Sequence, residues 1–336
     1  MQSLIHKPSK INWQVLIAEA QYHGLVPILY QLLKRCSNSE ISPTELDLLR
    51  RHVLAVAHFN QGLIQELVCI KQKFRDAGLA ILTFKGPMLA LTGYGDLSLR
   101  QSGDLDFLVA SDLFETASQF LQKQGYKIHA EHTWAKCLRC DASKVEIDLH
   151  QNVAGFYLPF KLHFQDIWAR RKQMMIAGVS FSFPCEEDLV VLLCVQFAKD
   201  AHNCWHKLIK ACDIAAVINR SSLDWSLILE IAHQGKGDRP LKLGLSIVET
   251  FFGVELPPQI RAYAHSDWVV KHYCRCIYKE FFTARSTHRS ISGLMWRTLF
   301  LFQDPVLEWQ CNLRLVKLFI HSFVNKFRKW WSKRSL

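Results

Sequence analysis

In the stretch FKGPMLALTGYGDLSLRQSGDLDFLVA, residues 84–110, Asp104 and Asp106 lie two positions apart among Leu105, Phe107, Leu108 and Val109. The apolar neighbours predict a strand, and alternate side chains of a strand share a face. Both carboxylates then point one way while Leu105 and Phe107 point into a core. Side-by-side carboxylates repel each other, and the simplest remedy is a divalent metal between them. A third acid comes from VEIDLH, residues 145–150, where alternation puts Glu146, Asp148 and His150 on one face and Val145, Ile147 and Leu149 on the other. Upstream, Lys85-Gly86-Pro87 joins a predicted strand to a predicted helix. Such a turn presents backbone N–H groups and a helix N-terminus, a seat for phosphate, and Lys85 adds positive charge. Asp104, Asp106 and Asp148 beside a phosphate seat at Lys85 and Gly86 are what two-metal phosphoryl transfer needs. Two Mg²⁺ or Mn²⁺ ions would be held by the three acids, one for the attacking oxygen and one for the phosphates.

The remaining polar residues are read more plainly. Lys85 is open to two roles, a phosphate contact or an ion pair with Asp104. Arg100, a short turn before the acidic strand, is assigned to phosphate, with neutralisation of the acidic cluster as the other reading. Glu146 and His150 share the face of Asp148 and either could join the site, but a solvated strand edge is the preferred reading for each. Cys137 and Cys140 form a lone Cys-x-x-Cys with no second pair at zinc-site spacing. His202 and His206 are four apart on a predicted helix, but no Glu completes a metalloprotease motif, so a structural place is preferred, then one His reaching a phosphate from beside the site, and zinc last. Asp213 is expected to cap or pair within the helical part.

The elements that must position these groups follow from hydrophobic spacing. Trp13–Leu33 and His52–Ala77 have helical periodicity, LAILTF and DLDFLVA read as strands, and Ser111 is a good N-cap for the next helix. Residues 127–141 and 144–153 read as strands. After Pro184 the patterns are long and helical, broken near QGKGDRP. The division expected is a helical region over 1–78, an α/β core over 79–183 and a helical part over 184–336. The chain of 336 residues has a formal net charge of +11. Residues 312–336 hold seven basic and no acidic side chains, which leaves only +4 on the rest. A strong nucleic-acid footprint is therefore not indicated for the body. The 11 cysteines have no regular spacing and read as free thiols of a reducing cytosol. No signal peptide and no run of ~18 apolar residues is visible, so a cytoplasmic place is expected. The tail over 313–336 carries Val316, Phe319, Phe323, Phe327 and Trp330 at helical steps beside its basic cluster. It reads either as a core helix with a basic tip or as a peripheral contact to the inner membrane face.

A strand, a glycine turn, a helix, an acidic pair and a third acid on a later strand resemble the nucleotidyltransferase superfamily that includes DNA polymerase beta and the CCA-adding enzymes. Lys85, Gly86, Tyr94, Gly95, Arg100, Asp104 and Asp106 are similar to the pattern of a bacterial family of uncharacterised nucleotidyltransferases. VEIDLH and DAHNCWHKLIKACDIAAVI extend that resemblance over roughly residues 10–260. The superfamily's usual Gly-Ser turn stands here as Lys85-Gly86. The resemblance implies an α+β fold, a polymerase-beta-type sheet with N-terminal helices followed by a mostly helical part. It implies an NTP donor and metal-dependent transfer of a nucleoside monophosphate. The acceptor is unidentified, with a small molecule or protein favoured over nucleic acid. A tRNA-modifying or toxin-type transferase is the alternative enzyme. An inactive scaffold at the membrane surface is disfavoured, because unpaired carboxylates are costly to keep without a metal.

Overall fold

The computed structural model describes residues 11–35, 41–155, 157–204, 207–282 and 300. His206 and the basic tail over 313–336 lie outside the described residues. The first predicted helix is two, α1 (Trp13–His23) and α2 (Val26–Arg35). Gly24 separates them in the left-handed region at φ 73°, a conformation that ends helices and that periodicity cannot reveal. The second helix, α3 (Pro43–Asp76), starts nine residues earlier than its apolar stripe suggests. Ser42 and Glu45 form a reciprocal capping box there, and Pro43 stands in the first turn.

The sheet runs β1 (Leu82–Thr83), β2 (Leu105–Leu108), β5 (Glu146–His150), β4 (Ala135–Cys140), β3 (Tyr126–Glu131) in spatial order. Only β2 and β5 are parallel, and their register sets Asp106 opposite Asp148 and Leu108 opposite His150. The other pairings are antiparallel. Helix α4 (Gly86–Leu89) follows β1 and widens into a π-turn over Ala90–Tyr94. Helix α5 (Phe114–Lys123) follows β2; Ser111 opens a 3₁₀ turn before it and makes no side-chain cap bond. The rear of the sheet is apolar. Leu105, Phe107, Ile147 and Leu149 pack with Leu63, Leu67, Ile70 and Phe74 of α3 and with Phe114, Ala117 and Leu121 of α5. Each such burial stabilises by roughly 1.5–3 kcal/mol. By length and composition α3 is the one described helix that could cross a membrane, but its C-terminal half is this rear wall.

After α6 (Phe164–Arg170), a hairpin of β6 (Lys172–Ile176) and β7 (Val179–Phe183) adds Phe181 and Phe183 to the rear core. Six helices follow among the described residues: α7 (Glu186–His202), α8 (Leu208–Arg220), α9 (Trp225–Gln234), α10 (Asp238–Phe252), α11 (Pro258–Ala264) and α12 (Trp268–Phe282). α7 is buried nearly all round and shares one apolar cluster with Leu82, Phe84, Leu89 and Leu108. The hydrophobic core therefore runs across the boundary expected at residue 184. The fold is α+β, mostly helical around a small mixed sheet.

Candidate active site

The front of the sheet carries the acids. Asp106 is 2% exposed in the middle of β2, and its strand neighbours Leu105 and Phe107 are fully buried behind it. Asp104 immediately precedes the strand and is half-buried, as is Asp148. Ligand atoms of Asp106, Asp148 and His150 all lie within 4.8 Å of one another. Burial first, and then the charges of Asp106 and Asp148, push the Asp104 carboxyl up to about 7. A carboxyl held that high is one that is buried beside other carboxylates.

Asp106 shows the opposite balance. Burial alone would raise it, but Lys85 and then His150 outweigh burial and hold it well below the usual carboxylate range. Lys85 Nζ is 3.2 Å from Asp106 Oδ1, and His150 Nε2 is 3.4 Å from the same oxygen. Lys85 thus pairs with Asp106, not with Asp104 as one reading of the sequence had it. Its own ammonium is held up by Asp106 and Asp104 against the effect of burial. His150 is 3% exposed, with its ring 5.4 Å from the ring of Phe84. The solvated edge preferred there is a buried position, with the ring of Phe84 packed against the imidazole. Glu146 does stay exposed, 3.5 Å from Arg139.

Gly86 lies at φ +57°, and a Cβ on it would stand 2.7 Å from the carbonyl oxygen of Asp104. The glycine lets the turn close against the start of β2, which brings Lys85 to the acids. Arg100 occupies a different place from the one assigned to it. It is 6% exposed, and its Nε and one terminal nitrogen bind Asp213 at 2.7 and 2.9 Å. Its other terminal nitrogen is 3.4 Å from the carbonyl of Gly86 and from Ser102 Oγ. Tyr94 donates to Asp213 Oδ1 at 2.8 Å, and the Asn60 amide donates to the carbonyls of Leu97 and Arg100 at 2.6 and 2.7 Å. Asp213 therefore pairs across to the sheet side, not within the helical part. With its guanidinium satisfied this way, Arg100 braces the turn and has no edge turned to phosphate.

Three further charges reach the site from α7 and α8. Lys210 Nζ is 3.5 Å from Asp200 Oδ2, and Lys199 Nζ is 4.0 Å from Asp200 Oδ1. Lys210 acts on both Asp104 and Asp106, and Asp200 acts on Lys85, so these groups share the acids' electrostatic surroundings. Burial, and then the charges of Lys85 and Lys210, push the Lys199 ammonium down, with Asp200 in opposition. Lys199 and Asp200 stand in a helix buried nearly all round, and nothing local in the sequence signals that they meet Lys210 of the next helix. Cys137 faces Asp148 across the β4–β5 ladder, where burial and that carboxylate push its thiol up to about 12. Cys140, three residues on along the strand, falls on the other face, so the two thiols cannot chelate one ion. His202 stacks on Tyr157 with centroids 4.8 Å apart.

The donor set suits a divalent cation. Carboxylates converge, one of them is raised to about 7 by burial and by its acidic neighbours, and the buried His150 Nδ1 and Nε2 lack a well-formed hydrogen bond. Hard oxygen donors fit Mg²⁺, and an added imidazole nitrogen fits Mn²⁺ as well.

No curated protein matches the chain. Among solved structures, the lincosamide antibiotic adenylyltransferase LnuA with lincomycin bound is 15% identical, covering 47% of this chain and 97% of its own, at a TM-score of 0.33. An antigenic nucleotidyltransferase-like protein from Paracoccidioides brasiliensis is 14% identical, covering 61% of this chain and 92% of its own, at a TM-score of 0.37. These scores are too low to argue from. The family profile is decisive, because it spans the turn, the acidic strand, β5 and the helices that brace them. Residues 9–253 match the profile described as uncharacterised nucleotidyltransferase, and the chain belongs to that family of nucleotidyltransferases.

Proposed function

We propose that the protein transfers a nucleoside monophosphate from an NTP to an acceptor hydroxyl in a divalent-metal-dependent reaction. The observation that carries this reading is the convergence of Asp106, Asp148 and His150 within 4.8 Å on one sheet face, with Asp104 beside them. Asp104, Asp106 and Asp148 would hold two Mg²⁺ or Mn²⁺ ions, with His150 within reach. When bound, such ions neutralise phosphate charge and acidify the attacking hydroxyl.

The chain's own residues do the rest. Lys85 and His150 both meet Oδ1 of Asp106, which fixes the carboxylate plane and leaves Oδ2 for an ion. The Gly86 turn presents its backbone to the triphosphate. The acceptor oxygen bonds to the α-phosphorus, the α–β anhydride bond breaks, and pyrophosphate leaves with its electron pair. A carboxylate oxygen of Asp148 takes the acceptor's proton. A small molecule or a protein is the acceptor class favoured, since the body of the chain is only mildly basic.

The test is incubation with each α-labelled NTP, Mg²⁺ or Mn²⁺ and a cell extract, followed by identification of what becomes labelled. Asp104→Asn with Asp148→Asn should abolish labelling and leave the protein folded, since neither carboxylate is the one paired with the buried Lys85. Labelling at the wild-type rate by that double variant places the chemistry elsewhere.

A further inference from the structure

Resting on the reading above, we propose that Lys199 and Lys210 form the seat of the nucleotide's β- and γ-phosphates, and that Asp200 fills this seat until the phosphates displace it. Two ammonium groups from different helices, one in the last turn of α7 and one in the first turn of α8, converge on one carboxylate. Their separations, 4.0 and 3.5 Å, are long. Charge-assisted bonds close to about 2.7–2.9 Å, as the Arg100–Asp213 pair does at 2.7 and 2.9 Å. Asp200 is spread between two partners and well bonded to neither, so a stronger anion can replace it.

The position fits that anion. Lys210 and Asp200 share their surroundings with Asp104, Asp106 and Lys85. With Asp148 and Lys199 included, four aspartates face three lysines here, a balance slightly on the negative side. Bound divalent ions would turn the balance positive, and a polyphosphate answers that charge. The side chains of Lys199 and Asp200 are 17% and 10% exposed, and that of Lys210 is 31% exposed. The pair is therefore sheltered from water while Lys210 is more open to it. Arg100, locked on Asp213, cannot serve here.

The test is calorimetric binding of inorganic tripolyphosphate to the full chain in excess Mn²⁺. Lys199→Met and Lys210→Met should each weaken binding about tenfold or more, and Lys199→Arg should keep most of it. Asp200→Asn, which is nearly isosteric, should tighten binding about tenfold by removing the competitor. Wild-type affinity in both methionine variants, unchanged or weaker binding by Asp200→Asn, or no binding by the wild type overturns the proposal. Nucleotide transfer is measured in parallel. Labelled product with an unaltered KM for NTP in the lysine variants sinks the seat and keeps the activity. The expected binding pattern without transfer to any acceptor keeps the seat and sinks the activity.

Discussion

Asp104→Asn should make the metal-free protein more stable. Asp104 is pushed from 3.8 up to about 7 by burial and by Asp106 and Asp148. A carboxyl held above its ordinary value binds its proton more tightly in the folded protein than in the unfolded chain. Its folded-state advantage is present at low pH and is lost as pH rises from about 4 to about 7. Above pH 7 the full penalty applies, about 4 kcal/mol for that displacement, an upper figure because the group is half-buried and partly screened. Roughly 2.5 kcal/mol of it develops between pH 5 and pH 8. Asp106, held low, contributes stability that is lost only as pH falls through the acid range, so it stays out of this window. Urea unfolding in EDTA at pH 5 and pH 8 reads the difference between wild type and variant. The variant's advantage should be larger at pH 8 by roughly 2.5 kcal/mol, and excess Mn²⁺ should abolish or reverse it by stabilising the wild type alone. An advantage equal at the two pH values, or a variant less stable than wild type at pH 8 in EDTA, refutes the electrostatic argument.

Asp213→Asn should cost about 3–5 kcal/mol, because it leaves the buried Arg100 guanidinium without its carboxylate. The double replacement Arg100→Met with Asp213→Leu should recover much of that loss in urea melts, and a single-variant loss under about 1 kcal/mol would count against the buried pair. Gly86→Ala should lower stability by about 1–3 kcal/mol, since it combines a left-handed backbone with a Cβ 2.7 Å from the Asp104 carbonyl; an unchanged melting temperature would show that the turn is not closed this way. Lys85→Met should weaken NTP binding ten- to hundredfold, as expected for loss of a charge-assisted contact of about 1.5–3 kcal/mol. Unchanged nucleotide affinity with a lowered melting temperature would assign Lys85 to structure through Asp106.

The faces of β2 and β5 were legible because alternation is a local property: Leu105, Phe107, Ile147 and Leu149 are apolar where they meet α3, and Asp106 and Asp148 are not. What alternation leaves open is what covers the polar face. His150 reads as a solvated edge from its own strand and is buried with the ring of Phe84 against it. Arg100 and Asp213, 113 positions apart, carry no mutual signal in the chain, so a basic residue before an acidic strand reads as a phosphate contact. Lys199 and Asp200 belong to the same class, since their role depends on where α7 ends against the sheet. The long α3 was under-read for another reason, its first turns being fixed by the Ser42–Glu45 cap and not by an apolar stripe.

The brace of Tyr94, Arg100 and Asp213 has a consequence for how the protein can be made. A nascent chain that has completed the acidic strand holds Arg100 with no carboxylate until α8 leaves the ribosome. Leu82, Phe84 and Leu108 likewise have no apolar cover until α7 arrives. The sheet and its acids therefore complete their packing only after α7 and α8 have been made. A gene fragment cut at residue 184, where the composition changes, should yield insoluble product. One that continues through Arg220 carries both the missing carboxylate and the helix that covers the front of the sheet.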